Sequence, residues 1–174
     1  LAAPPPPGRV RYEKHMVQHM LPGMDFDWME GAAVAFLIRD PREVAASFGA
    51  KRSGRLASEL GFARQQDIFD LVSARLGRPP PVVDAADIRR DPRQTLSALC
   101  AALGLPFEEA MLDWAPGLRP SDGVWAAHWY GALADSTGFA PSSDAPTPRL
   151  DPAAERELRP AMESWRRLSA LALR

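Results

Sequence analysis

The sequence predicts an α/β domain with a mostly parallel central sheet flanked by helices, and three observations carry that prediction. Residues 32–38, Ala-Ala-Val-Ala-Phe-Leu-Ile, are seven apolar residues in succession. A strand with one wet face would alternate polar and apolar, so this stretch reads as a central parallel strand covered on both faces. Asp-Pro occurs three times, at Asp40-Pro41, Asp91-Pro92 and Asp151-Pro152, each time ahead of a run with helical spacing. Asp accepts from the free N–H groups of a first helical turn and Pro fits the first helical position. A second short apolar run, Val82-Val83, lies between two of these helical stretches, so strands and helices alternate along the chain.

The elements follow in order. Leu1–Gly8 holds four consecutive prolines and is irregular, because proline neither donates to a ladder nor continues a helix. Arg9–Lys14 alternates around Val10 and Tyr12, which predicts a short strand delivering Lys14 and His15 to its C-terminal end. Met16–Met24 reads as a short helix or turn, Asp27 caps another turn through Trp28 to Glu30, and Gly31 ends it before the central strand. Asp40-Pro41 opens the next helix, and Glu43 completes the spacing of a capping box. Lys51–Arg55 is a small, basic loop. Ala57–Leu76 has apolar residues at Leu60, Ala63, Ile68, Leu71, Val72 and Leu76, close to helical spacing, with Gly77 as C-cap. Three prolines break it, and Val82-Val83 forms a short strand. After Asp91-Pro92, Leu96, Leu99, Cys100 and Leu103 lie on one helix face, ended by Gly104. Pro106–Trp114 is expected to be another helix, as is Val124–Phe139, whose Trp125, Trp129 and Tyr130 form a core stripe. Residues 140–150 are a Pro-, Ser- and Thr-rich loop. Asp151–Leu173 is an amphipathic helix burying Leu158, Met162, Trp165, Leu168 and Leu171 or Ala172, with Pro160 imposing a kink or a later start.

Size and composition bound the rest. At 174 residues and 46% hydrophobic, the chain supports one buried core, so residues 1–174 form a single domain. A net charge of −1 speaks against a broad nucleic-acid footprint, so any anion site must be local. Cys100, the only cysteine, reads as an inert packed thiol. No apolar run approaches the roughly 20 residues of a membrane span, and the expectation is a cytoplasmic protein with no membrane partner. Oligomeric state is not legible.

The candidate binding residues sit where the central strand meets its helix. Arg39 ends the strand beside a helix N-terminus, a place where open α/β sheets bind anions. Ser47 lies seven residues after Asp40, two turns on, and returns to the same helix face. A strand ending in Arg-Asp-Pro is equally a way to cap a helix, with the arginine solvated or paired to a carboxylate. The stretch resembles the 3′-phosphate-binding motif of sulfotransferases, a strand ending in Arg, then Asp-Pro, then Ser eight residues after the Arg. Asp87, Ile88, Asp91, Pro92 and Leu103–Phe107 are similar to a second sulfotransferase pattern, so the likeness runs in order from Leu37 to Phe107. One departure is Ala85, where many members carry an aromatic residue that stacks on adenine. Ser136–Phe139 is similar to an adenine-contacting segment of some members.

The resemblance implies a three-layer, P-loop nucleoside triphosphate hydrolase-like fold. It also implies transfer of a sulfonyl group from the co-substrate 3′-phosphoadenosine-5′-phosphosulfate to a hydroxyl or amine of a small-molecule acceptor. Arg39 and Ser47 would bind the cofactor, and Lys14, with His15 or His19 as base, would serve catalysis. Met20, Met24, Phe26 and Trp28 would line an apolar acceptor pocket or belong to the core. No Gly-x-x-x-x-Gly-Lys occurs in the sequence, so the fold is expected to be N-terminally incomplete, without its 5′-phosphosulfate loop. The alternatives are a non-catalytic nucleotide-binding or interaction domain of the same fold, or a small-molecule kinase-like transferase.

Overall fold

The structure, a computed structural model, describes residues 7–29, 31–49, 60–119, 122–124, 131–140 and 148–174. The expected loop at Lys51–Arg55, the aromatic stripe Trp125, Trp129 and Tyr130, and most of the loop at 140–150 lie outside the described residues. The described part is a mixed helix and strand domain around a small parallel sheet. Strand β1 (Phe36–Ile38) pairs in parallel with β2 (Val82–Asp84), Phe36 opposite Val82 and Ile38 opposite Asp84. The far side of β2 takes the end of the chain: Ala172 bridges Val82, and the Leu173 N–H donates to the Val82 carbonyl at 2.9 Å.

Around the sheet lie helices α1 (Pro41–Gly49), α2 (Phe62–Leu76), α3 (Ala85–Arg90), α4 (Pro92–Leu103), the single turn α5 (Gly131–Ala134) and α6 (Pro152–Ser169). The Asp-Pro caps form as local chemistry dictates. Asp91 accepts the Gln94 N–H, and Asp151 accepts those of Ala153 and Ala154. Gly77 and Gly104 close α2 and α4 with φ of +66° and +70°, a left-handed conformation that glycine adopts without strain. Pro160 sits inside α6, which nonetheless starts at Pro152.

Two apolar clusters meet along α6. Leu168 joins Phe36, Ile38, Val82, Ile68, Phe69, Val72, Met20 and Phe26, with Phe36 set edge-on to Phe69 at 5.3 Å. Leu158 and Ala161 join Ala45 of α1 and Phe62 of α2. Cys100 is buried, as its place on α4 predicts. Among the described residues, no helix is long and apolar enough to cross a membrane.

Several expectations are corrected. The central strand is three residues long, and Leu37 is 58% exposed between buried Phe36 and Ile38. Among the described residues its second face opens on a cavity. Among the described residues the sheet has two strands, β1 and β2. Arg9–Lys14 forms no strand with any of the described residues, and Val10 and Tyr12 are exposed. The helix expected over 57–76 starts at Phe62, and its buried stripe is Phe62, Ile68, Phe69 and Val72, leaving Leu71 and Leu76 exposed. The helix expected at Pro106–Trp114 is one 3₁₀ turn, Glu109–Met111. At the end of the segment 124–139, helix gives way after Ala134 to a bridge between Asp113 and Gly138. Leu171 is exposed, and Ala172 takes the place on the sheet.

Candidate functional site

The C-terminal ends of the two strands lead directly into α1 and α3, and the charged residues at these junctions are interlocked. Asp40 accepts the Arg42 N–H at 2.8 Å, and the Arg42 guanidinium folds back onto both oxygens of the same carboxylate. That hydrogen bond raises the Arg42 pKa. Glu43 does not close the capping box. Its Oε2 accepts from Arg39 Nε and from Arg89 Nη2, each at 2.9 Å. Two charge-assisted bonds outcompete one to a backbone N–H. Burial pushes the Glu43 carboxyl upward, but the two guanidiniums outweigh it and leave its pKa below the usual value.

Asp84, the last residue of β2, is 5% exposed and caps α3 by accepting the Ala86 N–H at 2.9 Å. Trp165 of α6 donates its indole N–H to the other oxygen at 3.2 Å. Burial raises the Asp84 pKa, and its two hydrogen bonds only partly offset this.

These junctions open on a cavity of about 210 Å³ lined by Leu37, Arg39, Ala85, Ile88, Arg89 and Phe139. Here the exposed face of β1 finds its role, since Leu37 is a wall. Ala85 contributes only a methyl group to the lining. Phe139 is held by its own segment: it packs edge-on against Trp114 at 5.3 Å, and the Trp114 N–H donates to the Thr137 carbonyl. A Cβ at Gly138 would stand 3.2 Å from the Leu112 carbonyl oxygen, so this close approach suits glycine. Of the two residues expected to bind an anion, Arg39 lines this cavity. Ser47 is exposed on α1, four residues after Glu43 and so on the same helix face. Among the described residues, no hydrogen bond joins Ser47 to Arg39. Arg89 was not among the expected binding residues. The available signal was its place one turn into the helix that follows the second strand.

The second group of expected residues does come together. Lys14, His15 and His19 line a cavity of about 300 Å³ with Met16, Met20, Met24 and Trp28. The 3₁₀ turn Val17–His19 follows the extended segment and returns His19 toward Lys14 and His15. The His15 ring lies 4.5 Å from that of Trp28, and its Nε2 is 3.2 Å from Glu13 Oε2. Arg64 fixes the loop to α2 by donating to the Met20 and Leu21 carbonyls at 2.9 Å and lying over the Phe26 ring. Phe26 is core, whereas Met24 and Trp28 face the cavity. The two histidines and the lysine thus share one cavity with thioether and indole surface.

Comparison with known proteins bears on the family of the chain. Two proteins of Arabidopsis thaliana are 37% identical to the chain: branched-chain-amino-acid aminotransferase-like protein 1 over 150 residues, 86% of this chain and 26% of that protein, and branched-chain-amino-acid aminotransferase-like protein 2 over 136 residues, 77% and 24%. The chain therefore spans about a quarter of the length of the curated relatives it matches. No solved structure matches it. The pattern of the sulfotransferase domain matches residues 1–172, which takes in both strand ends, both cavities and α6, and by that match the chain belongs to the sulfotransferase domain family.

Proposed function

We propose that the chain binds the 3′-phosphate and adenine of 3′-phosphoadenosine-5′-phosphosulfate and serves transfer of its sulfonyl group to a hydroxyl or amine of a small-molecule acceptor. The observation that carries this reading is the cavity at the strand ends. Its charged lining is Arg39 and Arg89, and its remaining walls are Leu37, Ala85, Ile88 and Phe139. A cationic edge beside an apolar slot fits a nucleotide, whose phosphate needs hydrogen-bond donors and whose base needs apolar surface. Arg39 would hold the 3′-phosphate, Ser47 would add a hydroxyl from α1, and Phe139 would flank the base where Ala85 offers no ring.

When bound, the donor supplies the sulfonyl group. The chain's own residues then position and neutralise. Lys14 would stabilise negative charge on the departing phosphate, and His15 or His19 would take the acceptor's proton, imidazole being suited to that task near neutral pH. Met16, Met20, Met24 and Trp28 would hold the acceptor's apolar body and exclude water from it.

Titration calorimetry of the chain with adenosine 3′,5′-bisphosphate tests the reading. Arg39→Ala is expected to lose about 2 kcal/mol of binding free energy, as fits a charge-assisted hydrogen bond. Unchanged affinity would remove Arg39 from the site and the reading with it.

A further inference from the structure

We propose that Arg89 is a second anion-binding arm of this site and that it selects nucleotides carrying a 3′-phosphomonoester; this deepens the proposed function and rests on it. Arg89 and Arg39 come from different elements, α3 and the end of β1, yet they converge on one atom, Glu43 Oε2, at 2.9 Å each. Two guanidiniums share this one carboxylate, so the cluster keeps one positive charge that no carboxylate within it balances. Glu43 is not in the cavity lining, whereas both arginines are, so the wall that meets a ligand carries two cations and no carboxylate.

Among the described residues, the neighbouring charges have partners of their own. Arg90 is paired with Asp87, and Arg42 with Asp40. Asp84 faces Ala86 and Trp165. Arg39 and Arg89 therefore share Glu43 between them.

Arg89 also keeps hydrogen-bonding capacity in reserve. Its Nε is buried and has no hydrogen-bond partner, and only Nη2 among its donors reaches Glu43. A guanidinium has five N–H donors in a planar fork. The side chain is 30% exposed, so it can turn its fork toward a ligand without unpacking the core. A phosphomonoester is close to dianionic at neutral pH and offers three acceptor oxygens, which matches two guanidiniums that share a single carboxylate. A ribose hydroxyl at the same place offers neither charge nor that number of acceptors.

The test is calorimetry on the full chain with two probes, adenosine 3′,5′-bisphosphate and adenosine 5′-monophosphate, comparing wild type with Arg89→Ala, Arg89→Lys and Arg39→Ala. Arg89→Ala is expected to weaken the bisphosphate roughly tenfold or more and the 5′-monophosphate less than about twofold. Arg89→Lys keeps a cation beside Glu43 but loses the fork, so it is expected to fall between wild type and Arg89→Ala. This milder variant carries the test should Arg89→Ala fail to fold. Bisphosphate affinity unchanged in the Arg89 variants, with Arg39→Ala weakened, overturns this inference alone. Equal losses on both nucleotides overturn the selectivity for the 3′-phosphate. Unchanged affinity in Arg39→Ala as well brings down the underlying reading of the site.

Discussion

Glu43→Gln separates stability from binding, because the carboxylate that ties the junction together also competes with any anion entering it. The variant keeps the side chain's shape and one acceptor oxygen but removes its charge and adds an NH₂ group facing two guanidiniums. The two ion pairs are partly exposed, with side-chain exposures of 40% and 30% for the arginines against 26% for Glu43. Pairs of this kind contribute about 0.2–1 kcal/mol each, so the variant is expected to lose about 0.4–2 kcal/mol at neutral pH. The Glu43 pKa is lowered from its ordinary value of 4.5 by the guanidiniums against the opposing effect of burial. Its contribution is therefore present above that ordinary value and is lost as pH falls through the folded one. Urea denaturation at two pH values should show a deficit at neutral pH that closes in acid.

Binding should move the other way. A unit charge about 7 Å from a phosphate interacts by about 0.6 kcal/mol at the dielectric of water and about 2.4 kcal/mol at an effective value of about 20. Removing it should tighten adenosine 3′,5′-bisphosphate binding roughly threefold to fiftyfold, with the gain shrinking in high salt. Calorimetry at low and high ionic strength reads this directly. Affinity equal to or weaker than wild type refutes the placement of Glu43 as the anion's competitor.

Asp84→Asn should change the slope of stability with pH. Burial raises the wild-type pKa above 3.8, so the native state binds that proton more tightly than the unfolded chain. Wild-type stability then falls as pH rises from the unfolded value through the raised one, whereas the asparagine variant lacks that fall. Urea midpoints should therefore shift in favour of the variant on going from acid to neutral pH, and a constant difference contradicts the reasoning. Leu158→Ala, at a side chain with 0% exposure, should cost about 2–5 kcal/mol by chemical denaturation. A loss under about 1 kcal/mol would mean that the cluster of α1, α2 and α6 closes over the gap. Gly138→Ala places a Cβ 3.2 Å from the Leu112 carbonyl oxygen, so the segment must shift and carry Phe139 with it. Nucleotide affinity should drop several-fold in calorimetry, and unchanged binding would remove Phe139 from the site.

What was legible in the sequence was whatever is decided within one turn. Asp91 and Asp151 cap their helices because the acceptor and the free N–H groups lie two or three residues apart. Gly77 and Gly104 end theirs for a similarly local reason. Lys14, His15 and His19 are brought together by chain proximity and a single 3₁₀ turn. Distant partners decided the rest. Glu43 has capping-box spacing, but Arg89, 46 residues away, claims it. The apolar run at 32–38 predicts burial on both faces, but no local signal reveals that Leu37 faces a cavity shared with Phe139. Val10 and Tyr12 alternate as strand residues do, but with no partner strand among the described residues they are exposed. Proline-start rules alone do not make a helix of Pro106–Trp114, where one 3₁₀ turn forms.

The seam between β2 and the chain's last residues bears on how the protein acquires its shape. Val82 waits for Ala172 and Leu173, and Asp84 waits for Trp165, 81 positions further along. During synthesis β2 stays unsupported on this side until those late residues leave the ribosome, and pairings so distant in sequence are slow to form. Chaperone demand and loss to aggregation should accordingly concentrate in nascent chains stalled before Trp165, whose bare Val82 edge offers itself to any passing strand.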